Sequence, residues 1–315
     1  MPPDPNTFLL AGGGTGGHLF PAIAVAEAIG LLRPGATIVF AGTKGRIEAR
    51  LVPQYGYRLE TIWISGIQRR VSIGNLMAPL KILVSLLQSF WLLRRLKPAA
   101  VLGTGGYVCG PVLLAASVLG IPTMIHESNS YPGATTKLLA GRVDKVFLAF
   151  EDSKQWLRCT RETEIVGTPT RSSMATATKA EALRFFGLSP DRPVMLISGG
   201  SQGSAALNAA VFGLLDNPWI EGVQLVWQTG EAHFAPVNEK LKGRTVGWVG
   251  PFIGSMELAY AAADLVVCRA GAATIAELTR AGKPSVLIPY PHAVADHQTR
   301  NANSLAASGA AVLVP

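Results

Sequence analysis

Cysteine is scarce here: Cys109, Cys159 and Cys268 stand far apart and outside any Cys-x-x-Cys or Cys/His spacing, which excludes a disulfide framework and a zinc site and fits a reducing cytoplasm. There is no Asp-x-Asp pair, and His292 and His297 are five apart, wrong for one helical face, so no catalytic metal is expected. Charge is thin, at 15% of residues against 49% apolar, which excludes disorder and coiled coil. No Gly-Lys-Ser or Gly-Lys-Thr follows any glycine loop, so a Walker A site is absent. No basic residue precedes the first apolar stretch, Phe8–Ala11, so a signal peptide is not expected. Even the longest apolar run, Ile82–Leu93, rises only about 18 Å as a helix, short of the roughly 30 Å hydrocarbon core.

Acid is missing from one region altogether. Between Thr61 and His126 there is no Asp or Glu, while Arg69, Arg70, Lys81, Arg94, Arg95 and Lys97 supply six of the eight net positive charges. This segment is either a core helix with a solvated basic end or a face that lies on anionic lipid, with apolar side chains in the interface and cations at the headgroups. The overall charge of +8 by itself allows a nucleic acid, a phosphorylated ligand or a membrane.

What is present is alternation. At roughly 150 residues per domain, 315 residues make about two domains. Strand-like apolar runs stand at Thr7–Ala11, Thr37–Ala41, Leu59–Ile62, Ala100–Leu102, Thr123–Ile125 and Val143–Leu148, with helical stretches such as Phe20–Leu32 and Ile73–Leu96 between them. The second half repeats the scheme at Val194–Ile197, Val223–Trp227, Thr245–Val249, Leu265–Val267, Ser285–Ile288 and Ala311–Val314. Runs apolar on both faces predict parallel sheets covered by helices, so the fold class is α/β with two doubly wound domains. Gly and Pro interrupt the pattern at 167–171, which sets the boundary between domains 1–167 and 168–315. Ligands of such sheets bind beyond the carboxyl ends of the strands, so two of them facing each other would share a cleft.

Glycine turns stand at those ends. Gly12, Gly14 and Gly17 satisfy GxGxxG between a strand and a helix, and Gly103–Gly110 and Gly199–Gly203 follow strands in the same way. Each is either a tight turn needing glycine or a cradle whose backbone amides meet a phosphate. The second strand ends Phe40-Ala41-Gly42-Thr43 without the acid that would hold a nicotinamide ribose, which argues against an NAD enzyme. His18 follows the first loop, at a helix N-terminus that favours the neutral imidazole; it is a capping residue or a base. His126, Glu127, Ser128 and Asn129 follow an apolar run, four polar groups better explained by a ligand than by folding. Arg269–Glu277 joins a strand end to a helix whose first amides, Ala272, Ala273 and Thr274, can meet a phosphate. Glu277 there is either a ribose ligand or a favourable helix charge.

Taken together, GGGTGGHLFPA (12–22), GTGGYVCGP (103–111), HESN (126–129), PGATTKLLA (132–140), GTPTR (167–171), GGSQG (199–203), GPFIGSM (250–256), RAGAATIAEL (269–278) and DHQTRNA (296–302) resemble the MurG family of peptidoglycan-precursor transferases, block by block over nearly the whole chain. The resemblance implies a GT-B arrangement of two Rossmann-like domains. It implies an inverting, metal-independent and cofactor-free transfer of N-acetylglucosamine from UDP-N-acetylglucosamine to the C4 hydroxyl of undecaprenyl-pyrophosphoryl-N-acetylmuramyl-pentapeptide. Carried over by position, Glu277 binds the uridine ribose and the Ile253 backbone the uracil. Arg171, Ser201 and Ala272, Ala273 and Thr274 engage the diphosphate, and Asn129 and Gln298 the sugar. Thr15, Gly16 and Gly17 reach the donor from the mouth of the acceptor loop. Gly13, Gly14, Gly105, Gly106 and Tyr107 hold the acceptor, with His18 as base and Glu127 in reserve.

The family also implies a peripheral place on the cytoplasmic face of the bacterial membrane and no nucleic-acid partner. HESN stands for the commoner HEQN, and GPFIGSM lacks the usual acidic pair. Family members continue past the position of Pro315 through helices that return to the first domain. Two other readings remain: a GT-B enzyme with a soluble acceptor, and a non-catalytic, membrane-peripheral nucleotide-sugar-binding protein.

Overall fold

The structure, a computed structural model, describes residues 4–66, 77–158, 162–293 and 296–315. Arg69, Arg70, Cys159 and the expected helix start at Ile73 lie outside the described residues. By contact the chain divides into two compact units, Met1–Arg171 and Ser172–Pro315.

The first unit is a seven-stranded, all-parallel sheet of β1 (Asp4–Gly12), β2 (Thr37–Gly42), β3 (Arg58–Thr61), β4 (Pro98–Gly105), β5 (Thr123–Glu127), β6 (Lys145–Leu148) and β7 (Glu162–Ile165), in the order 3-2-1-4-5-6-7. Side chains alternate along a strand, so each strand feeds two layers. Leu9, Val39 and Val101 point to the layer of α3 (Ala78–Leu96) and α4 (Cys109–Val118), where Leu93 and Val112 meet them. Leu10, Phe40 and Leu102 point to α1 (Gly16–Leu32) and α2 (Ile47–Gln54), against Leu19, Ile23 and Val52. Each such fully buried side chain contributes about 1.5–3 kcal/mol. A short α5 (Ala134–Leu139) precedes β6. Strand β7 is not apolar and the sequence pattern missed it: its backbone pairs with β6, and Lys145 on β6 adds ion pairs to both Glu162 (2.9 Å) and Glu164 (2.8 Å).

The second unit repeats the order with β8 (Val194–Ser198), β9 (Gln224–Gln228), β10 (Gly247–Gly250), β11 (Leu265–Cys268), β12 (Ser285–Leu287) and β13 (Ala311–Leu313), arranged 10-9-8-11-12-13 and all parallel. One layer joins Leu196, Val226 and Val266 to α6 (Lys179–Phe186), α9 (Met256–Ala262), α10 (Ala272–Ala281) and α11 (His297–Ala307). The other joins Ile197, Leu225 and Trp227 to α7 (Ala205–Leu215) and α8 (Glu231–Leu241). Both units therefore have the doubly wound order, in which direction reverses beside the first strand, between β1 and β4 and between β8 and β11. All twelve expected strands are present.

Helix α3 buries Leu92 and Leu93 near its end but departs from the usual pattern before them. Ser85 and Ser89 are fully buried and donate back to Ile82 O (2.8 Å) and Ser85 O (2.7 Å), which spends their hydroxyls inside the helix. Leu80, Leu83, Leu87 and Trp91, spaced for one face, are instead exposed. No helix among the described residues is long and apolar enough to cross a membrane.

Candidate active site at the strand ends

In the first unit the loops after β1 and β4 meet at the point where strand order reverses. Gly105 (φ +114°) and Gly106 (φ +86°) take backbone conformations that favour glycine. A Cβ on Gly105 would stand 2.9 Å from His18 Nε2, and one on Gly106 2.5 Å from the Gly13 carbonyl oxygen, so only glycine lets the loops approach. The Thr104 hydroxyl donates to His18 O (2.7 Å). Burial pushes the Cys109 thiol up to about 12, which keeps it protonated. Its Sγ lies 2.8 Å from Ala11 O and 3.0 Å from Gly105 O and accepts the Gly105 N–H at 3.2 Å.

His18 occupies the first turn of α1, partly exposed. Its Nδ1 lies 3.2 Å from Gly13 O and 3.3 Å from Thr15 Oγ1. A carbonyl only accepts, so this contact places the hydrogen on Nδ1 and the lone pair on Nε2. Gly13 is buried, Thr15 and Gly17 are exposed, and Gly14 and Gly16 lie between. Tyr107 is exposed at the mouth of the second loop, and its ring occupies the space where a Cβ on Gly66 would fall.

The end of β5 and the turn after it give the polar cluster a structural role: His126, Glu127 and Ser128 are buried. His126 Nε2 donates to Gly167 O (2.8 Å) while Nδ1 faces Ser128 Oγ (3.3 Å), and burial holds its pKa below the ordinary histidine range. Glu127 accepts from Asn129 N–H (3.0 Å), Asn129 Nδ2 (3.2 Å), Gly133 N–H (2.9 Å) and Thr136 Oγ1 (2.7 Å). That carboxylate braces the turn carrying Asn129. Arg171, buried at the end of this unit, donates to Tyr55 Oη (2.8 Å) and lies over the Phe20 ring.

In the second unit the loop after β8 is held by side chains. Gln228 donates to Ser198 Oγ (3.2 Å) and Gly200 O (2.8 Å) and accepts the Ile253 N–H (2.8 Å). Because the Ile253 amide is thus occupied, a base meeting this residue would meet its carbonyl. Arg269, at the end of β11, donates to Ser204 Oγ (2.7 Å), Ile288 O (3.1 Å) and Pro289 O (2.6 Å). Ser201 is exposed on the loop beside it. Gly271 caps α10, so the amides of Ala272, Ala273 and Thr274 have no partner within the helix and form the positive end of its dipole. Glu277, in the next turn, accepts from Tyr260 Oη (3.0 Å), and Gln298 Oε1 accepts the Tyr290 N–H (2.9 Å), leaving its amide NH2 to donate. Glu48, which accepts from the Gly14 and Thr43 amides, and Gln228 organise these loops although no motif marked them, and Arg269 does so from a motif that was read for its helix amides and Glu277. Among the described residues no three His, Cys, Asp or Glu come together as metal ligands.

The glycosyltransferase family 28 N-terminal domain matches residues 8–148 and the family 28 C-terminal domain residues 194–315. A protein of Salinibacter ruber named UDP-N-acetylglucosamine--N-acetylmuramyl-(pentapeptide) pyrophosphoryl-undecaprenol N-acetylglucosamine transferase is 47% identical, over 96% of this chain and 82% of its own length. The chain belongs to the MurG family. A relative of the same name from Chlorobium limicola is 44% identical over 97% of this chain and 85% of its own. The crystal structure of Acinetobacter baumannii MurG superimposes with a TM-score of 0.72 at 34% identity, covering 98% of this chain and 85% of that one. A UDP-glucose:anthocyanidin 3-O-glucosyltransferase, 14% identical with a TM-score of 0.64 over 99% of this chain and 86% of that one, shares the fold. As a MurG-family chain built from two parallel-sheet α/β domains, the molecule is a glycosyltransferase of the hexosyltransferase kind with the GT-B fold.

Proposed function

We propose that this chain moves N-acetylglucosamine from UDP-N-acetylglucosamine to the C4 hydroxyl of a lipid-linked N-acetylmuramyl-peptide, with inversion at the anomeric carbon. The observation that carries the reading is His18, fixed by Gly13 O on one side and Gly105 on the other, with its Nε2 lone pair at the strand ends of the first unit. In this reading Nε2 takes the hydroxyl proton as the acceptor oxygen bonds to the anomeric carbon. The carbon–phosphate oxygen bond breaks, and UDP leaves with the electron pair. The open amides at Ala272–Thr274 stabilise the departing charge, with Ser201 and Arg171 on the diphosphate. Glu277 takes the ribose, the Ile253 carbonyl the base, and Asn129 and Gln298 the sugar. Thr15, Gly16 and Gly17 edge the donor, and Gly13, Gly14, Gly105, Gly106 and Tyr107 shape the acceptor site. The four donors around Glu127 favour His18 as the base.

The exposed apolar face of α3 supports a lipid-borne acceptor. Leu80, Leu83, Leu87 and Trp91 stand beside Lys81, Arg94 and Arg95, a pairing suited to the anionic cytoplasmic surface of the cell membrane. The decisive experiment is His18→Ala assayed with the lipid-linked acceptor: turnover falls by about 100-fold or more while UDP affinity stays within about twofold. A variant with full turnover removes His18 from the role. The lipid surface is tested by salt-reversible binding to vesicles containing anionic lipid, and failure to bind at low salt points to a soluble acceptor.

A further inference from the structure

Glu48, in the first turn of α2, is fully buried beneath the first glycine loop. Its Oε1 accepts from Thr43 N–H (3.0 Å) and Thr43 Oγ1 (2.6 Å), and its Oε2 accepts from Gly14 N–H (2.8 Å). The backbone is fitted around it: a Cβ on Gly13 would stand 2.5 Å from Glu48 Cδ, and one on Gly42 2.6 Å from Cγ. Placing an acidic side chain at the centre of a core is costly, and simple packing of α2 would be served as well by leucine. The loop therefore gains something that an apolar residue does not give.

The Gly13–Gly14 peptide group stands between Glu48 and His18. Its N–H points to Glu48 Oε2, while its C=O lies 3.2 Å from His18 Nδ1. An amide that donates to a strong acceptor becomes a better acceptor at its oxygen, because the two hydrogen bonds polarise one group in the same sense. We propose that Glu48 is a positioning residue for the transfer, acting on His18 through the Gly13–Gly14 peptide group. The carboxylate polarises the peptide, the peptide oxygen holds Nδ1–H, and Nε2 is kept as the nitrogen that takes the proton. The imidazolium formed by that transfer is stabilised by the same oxygen. No proton passes through the peptide, and no covalent bond changes within the relay. The proposal rests on the reading of His18 as the base.

The test starts from the unmutated protein. Nitrogen-15 spectra of labelled histidine, with the His18 signals assigned by their loss in His18→Ala, show Nδ1 protonated in the neutral ring; an Nε2–H tautomer overturns the proposal without any variant. Glu48→Gln keeps the volume and replaces the carboxylate by a neutral acceptor. It lowers kcat by about tenfold, leaves both KM values and the UDP affinity within about twofold, and gives a mixture of His18 tautomers. In the His18→Ala background the same substitution costs nothing further.

Thr43→Val removes the hydroxyl donor on Oε1 and leaves the Gly14 contact, so kcat stays within about twofold; a tenfold loss there assigns Glu48 to loop packing instead. Full kcat in Glu48→Gln, or a loss that adds to that of His18→Ala, overturns the relay. The two readings fail separately. If His18→Ala is fully active, the base assignment falls, whereas if His18→Ala is inactive and Glu48→Gln fully active, only the relay falls.

Discussion

The two points of strand reversal share one topology, and both use glycine to bring loops together, Gly105 and Gly106 in the first unit and Gly203 and Gly230 in the second, but they differ in the side chains that cross between the loops. Around β1 and β4 the ring of the site is seated by what is missing: Gly105 and Gly106 have no side chain, so His18 and the Gly13 carbonyl come into contact with the opposing backbone, and the short side chains of Thr104 and Cys109 bond across beside them. Around β8 the longer side chains reach across: the Arg269 guanidinium runs from the end of β11 to Ser204 and to Ile288 and Pro289 after β12, and the Gln228 amide from the end of β9 to Ser198 and Gly200. Close backbone contact fixes a ring to a fraction of an ångström and leaves no room for adjustment, which suits a group that must meet one proton. Long polar side chains tolerate movement and bring charge, which suits the retention of a diphosphate through bond cleavage. The same strand order thus supports a half that seats a ring and a charged half.

The sharpest way to break this contrast is Gly105→Ala. The new Cβ would overlap His18 Cδ2 in a backbone conformation, φ +114°, that alanine resists. Since about 1 Å of misplacement costs roughly 100-fold in an oriented reaction, turnover is expected to fall by that factor or more. UDP affinity, measured by calorimetry, stays within about twofold because the second unit is untouched. Loss of UDP binding in this variant would show that the two halves are not separate in their tasks.

How much of this was legible beforehand depends on where each residue's reason lies. Strands such as Val194–Ser198 and Thr37–Gly42 announce themselves because burial on both faces forces a continuous apolar run, and the glycine loops because left-handed turns tolerate few other residues. Glu48 gave no such signal. Inside Arg46-Ile47-Glu48-Ala49-Arg50 it reads as one more solvated charge, and only the three-dimensional meeting of α2 with the loops after β1 and β2 makes it a buried brace. In the Glu127 segment four polar residues after an apolar run suggested a ligand, and the structure adds a reason that the sequence did not show, their bonds to one another and to the turn at Gly133. In α3 the apolar residues serve two faces, Leu92 and Leu93 inward with Ser85 and Ser89, and Leu80, Leu83, Leu87 and Trp91 outward, a division that the run Ile82–Leu93 does not show by itself. Strand β7 escaped because Glu162-Thr163-Glu164-Ile165 is no apolar run: the backbone ladder to β6 holds it, with Lys145 paired to both glutamates.

Arg269→Ala probes the charged half. It removes three hydrogen bonds at once and leaves the Ser204 hydroxyl and two carbonyls to find other partners. A loss of about 2 kcal/mol in stability is expected, with UDP affinity down by about tenfold and turnover at saturating donor changed far less. Lysine does not restore it, because one ammonium cannot span three acceptors as the planar fork does. A variant that binds UDP normally would mean that the loop after β8 keeps its shape without the guanidinium.

The smallest expected effect sharpens the comparison, because among the described residues each half buries one cysteine, Cys109 and Cys268, and only one of these two thiols is shown tying loops together. Cys109 bonds to Ala11 and Gly105, whereas Cys268 ends β11 within an apolar cluster. Cys109→Ala is therefore expected to cost about 1 kcal/mol more than Cys268→Ala in urea unfolding, and to lower turnover where Cys268→Ala does not. Burial pushes both thiols up from 9.0 to about 12, so their pH dependence has the same sign. Below about pH 9 both are protonated in folded and unfolded chains, and the full stability is present. As the pH rises from 9 towards 12 the unfolded chain ionises first and stability falls. Either alanine variant removes one of the two contributions and flattens that fall equally, so unfolding curves at pH 8 and pH 10 separate the shared cost of burial from the hydrogen bonds of Cys109. Equal destabilisation by the two substitutions at pH 8 would deny the thiol its part in closing the first pair of loops.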